Sequence, residues 1–173
     1  MKLFRSKPQK NVGLSLYAAC VEQARLPDLY LNMAVPDTVE GRFELYTLHV
    51  MLLLDRMRGQ GARAQDISQA LFDSYIQALD DALREMGVGD LSVGKKMRKL
   101  GEAFYGRAKS YEVAFASLPD TQELNALLAR TVFAETPTAE VAPIASYVLA
   151  QRDNLLGLPL EAILDGNMTW GAA

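Results

Sequence analysis

The chain has 173 residues, half of them apolar and 23% charged, with a formal net charge of −3 and one cysteine. This is the size and balance of one domain with a sizeable core, and it argues against long disorder. A lone thiol, Cys20, excludes an internal disulfide, and a lone histidine, His49, excludes multi-histidine metal sites.

The first ten residues carry Lys2, Arg5, Lys7 and Lys10, with no apolar stretch behind them. They do not read as a secretory signal. Residues 1–11 are expected to form a flexible basic N-terminus, 12–165 one helical domain, and 166–173 a fraying C-terminus. Helical periodicity dominates and alternating strand pattern is absent. The expected fold is all-α, a bundle of about six helices around a central apolar helix.

A first helix is expected over about 12–25. Leu26-Pro27 ends it, because a residue before proline avoids the α region, and residues 27–37 read as a loop. Thr38 or Asp37 caps a second helix to about Arg58. Phe43, Tyr46, Val50, Leu54 and Met57 form one stripe, and Leu45, Leu48, Leu52 and Leu53 fill much of the remaining circumference. A helix apolar nearly all round belongs at the centre of a bundle. A third helix covers about 65–86 and ends at Gly87, placed as a left-handed C′ residue. A fourth covers about 92–118, with Met97, Leu100, Phe104, Ala108, Tyr111 and Phe115 on one face, until Pro119 breaks it. Asp120 and Glu123 have capping-box spacing for a fifth helix to about Phe133. A sixth is expected over 143–151, and a short turn of helix over 160–164. No run approaches the ~20 apolar residues of a membrane span.

The chemistry is sparse. Cys20 sits among apolar helical neighbours and reads as a buried inert thiol. His49 reads as a structural histidine at a core boundary, with a lone general base as the alternative. Gly87-Val88-Gly89-Asp90 lacks the lysine and preceding strand of a phosphate loop. No catalytic residue, metal or cofactor is indicated.

One cluster stands out. Residues 84–109 hold seven bases and three acids in an otherwise acidic chain. Lys95, Lys96, Arg98 and Lys99 open the fourth helix, where the macrodipole is positive, each costing ~0.3–1 kcal/mol when little screened. A solvated face, helped by an Arg98–Glu102 pair and Asp90 as a cap, is one reading. A docking surface for an acidic segment or an anionic headgroup is the other.

Three segments together resemble the ubiquinol–cytochrome c chaperone family. They are VPDTVEGRFELYTLH at Val35–His49 with ARLPDLY before it, QALFDSYIQALDDALREMGVGDLSVGKKM at Gln69–Met97, and FYGRAKSY at Phe104–Tyr111. The resemblance implies a helical assembly factor that binds newly made cytochrome b and helps build the ubiquinol–cytochrome c reductase (bc1) complex. It implies contact with nascent cytochrome b, leaves open a ribosome or small co-chaperone contact, and involves no specific nucleic acid. With neither a targeting segment nor an anchor read from the sequence, the expectation is a cytoplasmic protein of the alphaproteobacterial type. Its place would be peripheral at the cytoplasmic face of the inner membrane, in transient contact with it. Arg84, Asp90, Lys95, Lys96, Arg98, Lys99, Arg107 and Lys109 are the candidate client-binding residues. The alternatives are a peripheral module that binds anionic membranes, or an enzyme using His49.

Overall fold

A computed structural model describes residues 7–173. The expected basic N-terminus lies outside the described residues over 1–6, while 7–11 belong to a helix. The order is α1 (Lys7–Ala24), α2 (Pro27–Leu31), α3 (Val39–Met57), α4 (Ala62–Glu85), α5 (Asp90–Ala116), α6 (Gln122–Thr131), α7 (Ala142–Gly157) and α8 (Leu160–Leu164). No strand occurs among the described residues.

The expected central helix is α3. Leu45, Leu48, Val50, Met51, Leu52, Leu53 and Met57 are all buried, and α1, α4, α5 and α7 surround it. Its start is built locally: the Thr38 hydroxyl accepts from the Gly41 amide at 3.0 Å, while Arg42 pairs with Asp37 at 2.7 Å. Thr38 is thus the cap, and Asp37 locks the junction.

Helix α4 closes as its sequence suggests. Gly87 has φ +80°, Val88 N–H donates to Leu83 O at 3.0 Å and Gly87 N–H to Arg84 O at 2.9 Å. This is a Schellman closure, which needs the left-handed residue that glycine supplies.

Several boundaries differ from expectation. Helix α1 begins before residue 12 because Pro8 falls in its first turn, where a missing N–H costs nothing. The expected loop after Leu26 contains α2, with Pro27 at its first position and Leu29 buried. Asp120 does accept from the Gln122 amide at 3.0 Å, but no capping box closes, because the Asp120 amide donates to Ser117 O instead. Helix α7 runs past residue 151, held by an Arg152–Asp55 pair at 3.0 Å and by buried Leu155.

The C-terminal residues 166–173 are not left to fray. Trp170 Nε1 donates to Ala19 O at 3.0 Å, Asn154 Nδ2 donates to Thr169 O at 3.0 Å, and the Gln151 side chain both donates to Gly171 O and accepts from Gly171 N. Arg63 ties α4 to α8 through Glu161 and Asp165.

Helices α1 and α4 approach closely at Gly13. A Cβ there would lie 2.5 Å from the Ala70 carbonyl carbon and oxygen, so only glycine fits between the two backbones. Gly13→Ala is therefore expected to push α1 outward and cost about 2 kcal/mol, within the range for overpacking a close-packed contact. A urea titration should show a lower midpoint with an unchanged slope.

Candidate functional site

His49 is fully buried. Its Nδ1 lies 2.8 Å from Leu45 O and its Nε2 lies 2.6 Å from the Tyr147 hydroxyl. A carbonyl can only accept, so Nδ1–H donates to Leu45 O, and Tyr147 O–H donates to the bare Nε2. Gln23 Nε2 in turn donates to the Tyr147 hydroxyl at 3.0 Å and to Gly171 O at 3.2 Å. Burial lowers the imidazole to about 4, so the ring is neutral at ordinary pH. Both nitrogens are committed inside the core, and no substrate reaches them without local opening. The chemistry of this network is structural: it fastens the C-terminal segment across α1, α3 and α7. Cys20 is also fully buried, and desolvation raises its thiol far above the usual range. No cluster of three or more metal-ligating side chains occurs among the described residues.

The eight candidate client-binding residues separate into three groups. Arg107 does not face solvent with the others. Its guanidinium forks onto Glu44, with Nη2 to Oε1 at 2.5 Å and Nε to Oε2 at 3.2 Å. The Glu44 side chain is only 8% exposed and that of Arg107 28%, so the pair fastens α5 to the central helix. Arg84 bridges Asp80 and Asp90, each at 2.6 Å. Asp90 is the first residue of α5 and serves this bridge, while Gly89 occupies the cap position.

The third group is Lys95, Lys96, Arg98, Lys99 and Lys109, all exposed. The expected Arg98–Glu102 pair does not form within 4.0 Å, and none of these five cations has an ion-pair partner among the described residues.

The buried side of α5 carries Phe104, Tyr111 and Phe115 of the expected stripe together with Val93 and Ala114, while Met97, Leu100 and Ala108 of that stripe are only half-buried. Its outward face carries a feature that periodicity hides. Leu91 is fully exposed, Tyr105 is 66% exposed and Val113 is 47% exposed, interleaved with Lys95, Arg98 and Lys109 at helical spacing. These apolar residues sit on the polar side of the wheel, so a search for amphipathic stripes passes over them. Tyr105 rests against Phe72 of α4, with centroids 6.1 Å apart. Toward the far end of the hairpin, an open groove of about 680 Å³ is lined by Leu54, Met57, Gly61, Gln65 and Ser68, beside an Arg58–Glu112 pair at 2.9 Å. Ser68 and Phe72 share one face of α4. The groove lies between the end of α3 and the start of α4, and Ser68 places its edge one helical turn from Phe72, on which Tyr105 rests. Such a surface can hold an apolar helix face alongside negatively charged groups.

The chain is similar to known proteins along most of its length. Residues 31–170 match the family described as Ubiquinol-cytochrome C chaperone. The chain is 27% identical over 165 residues to the ubiquinol-cytochrome c reductase complex assembly factor 1 of Mus musculus, covering 93% of this chain and 55% of that one. It is 28% identical over 165 residues to the Homo sapiens protein of the same name, covering 93% and 54%. It thus spans about half the length of these two curated relatives. The crystal structure of the Cbp3 homolog from Brucella abortus superposes with a TM-score of 0.85 at 34% identity, over 96% of this chain and 92% of that one. A family match across most of the chain and a closely similar solved fold lead to one conclusion: this chain belongs to the ubiquinol–cytochrome C chaperone family.

Proposed function

We propose that the protein is an assembly chaperone. It binds newly synthesised cytochrome b and promotes assembly of the ubiquinol–cytochrome c reductase complex. It works from the cytoplasm, peripherally at the cytoplasmic face of the inner membrane. The observation that carries this reading is the family match over residues 31–170, supported by the similarity to the solved Cbp3 homolog along 96% of the chain. The absence of any helix long and apolar enough to cross a membrane among the described residues accords with peripheral action.

The α4–α5 hairpin is the element assigned to docking. Tyr105, Val113 and the neighbouring groove offer apolar contact to a client helix. Lys95, Lys96, Arg98, Lys99 and Lys109 offer positive charge to acidic loops or to the membrane beside them. Arg84 and Asp90 hold the turn, and Arg107 holds α5 in place from inside. Contact with a ribosome or a small co-chaperone belongs to the same reading, without recognition of a specific nucleic-acid sequence.

The test is genetic. Deleting the gene in its native host should remove most assembled reductase complex on native gels, together with its quinol–cytochrome c activity. Wild-type chain should restore both, and a Tyr105→Asp/Val113→Asp variant, changed only at exposed positions, should restore neither fully. Normal complex levels in the deletion strain would contradict the proposal.

A further inference from the structure

At the α4–α5 turn, apolar side chains stand in solvent beside cations that have no ion-pair partner among the described residues. Leu91 is fully exposed and Met86 is 57% exposed. Of residues 90–96, only Val93 is buried, so the start of α5 leans on the rest of the domain through one buried side chain and the exposed Arg84–Asp90 bridge. Lys95, Lys96, Arg98 and Lys99 follow immediately, all exposed and without ion-pair partners among the described residues. The nearby acids do little to neutralise them: Asp90 is taken by Arg84, which leaves Glu85 and Glu102. Folding gains nothing from four cations at the positive end of a helix, nor from a leucine in water.

Leu91, Lys95 and Arg98 lie at i, i+4 and i+7 on one face, and Lys99 stands one turn beyond Lys95. Resting on the assembly-factor reading above, we infer that this apex docks on an anionic bilayer. The four cations sit among headgroup phosphates, and Leu91 and Met86 reach the headgroup–acyl boundary. An RNA backbone or an acidic protein loop rewards the cations but leaves the two aliphatic side chains in water. A bilayer surface rewards both. Docking in this way turns the α5 face, with Tyr105 and Lys109, toward segments emerging at the membrane.

The test is flotation of the full chain with phosphatidylcholine vesicles, with and without phosphatidylglycerol. The wild type should float only with the anionic vesicles, and less as salt rises. Each cation removed should weaken binding roughly fivefold, so K95E/K96E/R98E/K99E should lose at least ~100-fold. Circular dichroism checks that the variant remains folded. Leu91→Trp should show a blue-shifted emission on anionic vesicles that the wild type, with Trp170 alone, does not. Failure of the wild type to float, or undiminished flotation of the charge-reversed variant, would overturn the inference. Charge-dependent flotation without the Leu91→Trp shift would reduce the apex to a general polyanion contact and overturn it as well. Cytochrome b capture in detergent, measured in parallel, separates the two claims. Capture lost in a charge-reversed variant that floats like wild type would assign the cations to the client: the bilayer inference falls and the chaperone stands. A wild type that floats as expected but captures no client would leave the apex standing and remove the chaperone reading.

Discussion

Arg107→Ala is expected to destabilise the protein by about 3 kcal/mol, the lower end of the cost of breaking a buried ion pair. The reason is what remains behind. Glu44 has 8% of its side chain exposed and loses both bonds of the guanidinium fork. Its carboxylate would then face the buried Tyr75 and Tyr111 hydroxyl environment with no compensating charge. Arg107 itself is 28% exposed, so water relieves part of the penalty, which is why the lower end applies. Arg107→Lys should recover little, because a single ammonium cannot reproduce a two-point fork. Removing both charges, as Glu44→Gln with Arg107→Met, should cost much less than Arg107→Ala alone. Urea unfolding of the three variants decides the matter. A loss below about 1 kcal/mol for Arg107→Ala would place the pair among ordinary surface bridges and free Arg107 for the docking role first assigned to it.

The second large effect is on pH. His49 titrates near 6.5 when unfolded and is lowered to about 4 in the core, through desolvation. The unfolded chain therefore binds the proton more tightly than the native one. Stability is complete above pH 6.5 and is lost as pH falls from 6.5 toward 4. At about 1.4 kcal/mol per unit, the loss is about 2 kcal/mol at pH 5 and about 3 kcal/mol at pH 4. Urea midpoints at pH 7.5 and pH 5 measure it, and His49→Gln should flatten the difference. Tyr147→Phe removes the hydroxyl that serves both His49 and Gln23, and should cost about 2 kcal/mol at pH 7.5 by leaving a buried nitrogen without a donor. A wild-type midpoint unchanged between the two pH values would show that the imidazole reaches solvent in the native state.

The long helices were legible because their cores are continuous in sequence. The α3 circumference and the Phe104, Tyr111 and Phe115 part of the α5 stripe can be read from spacing alone, and Gly87 marks the end of α4 by its freedom at positive φ. What stayed hidden depends on partners distant in the chain. Arg107 looks like part of a basic patch until Glu44, 63 residues away, is seen to claim it. The C-terminal segment reads as a tail because it is short and follows the Asp165-Gly166-Asn167 turn, yet Ala19, Gln23, Gln151 and Asn154 fasten it from α1 and α7. Helix α2 has five residues, too few for any periodicity. Gly13 carries no local mark of the Ala70 backbone pressed against it. The surface was half legible: the cations announce themselves by charge, whereas Leu91 and Tyr105 are ordinary residues until their exposure is known.

The central claim is that this chain holds newly made cytochrome b. A short pulse of labelled amino acid in cells carrying a tagged chain, followed by mild crosslinking, membrane solubilisation and purification, measures it most directly. Labelled cytochrome b should co-purify within the pulse and leave the chain during a chase, as it passes into the assembled complex. Labelled cytochrome b that is made and crosslinkable, yet never recovered with the chain, would contradict the account.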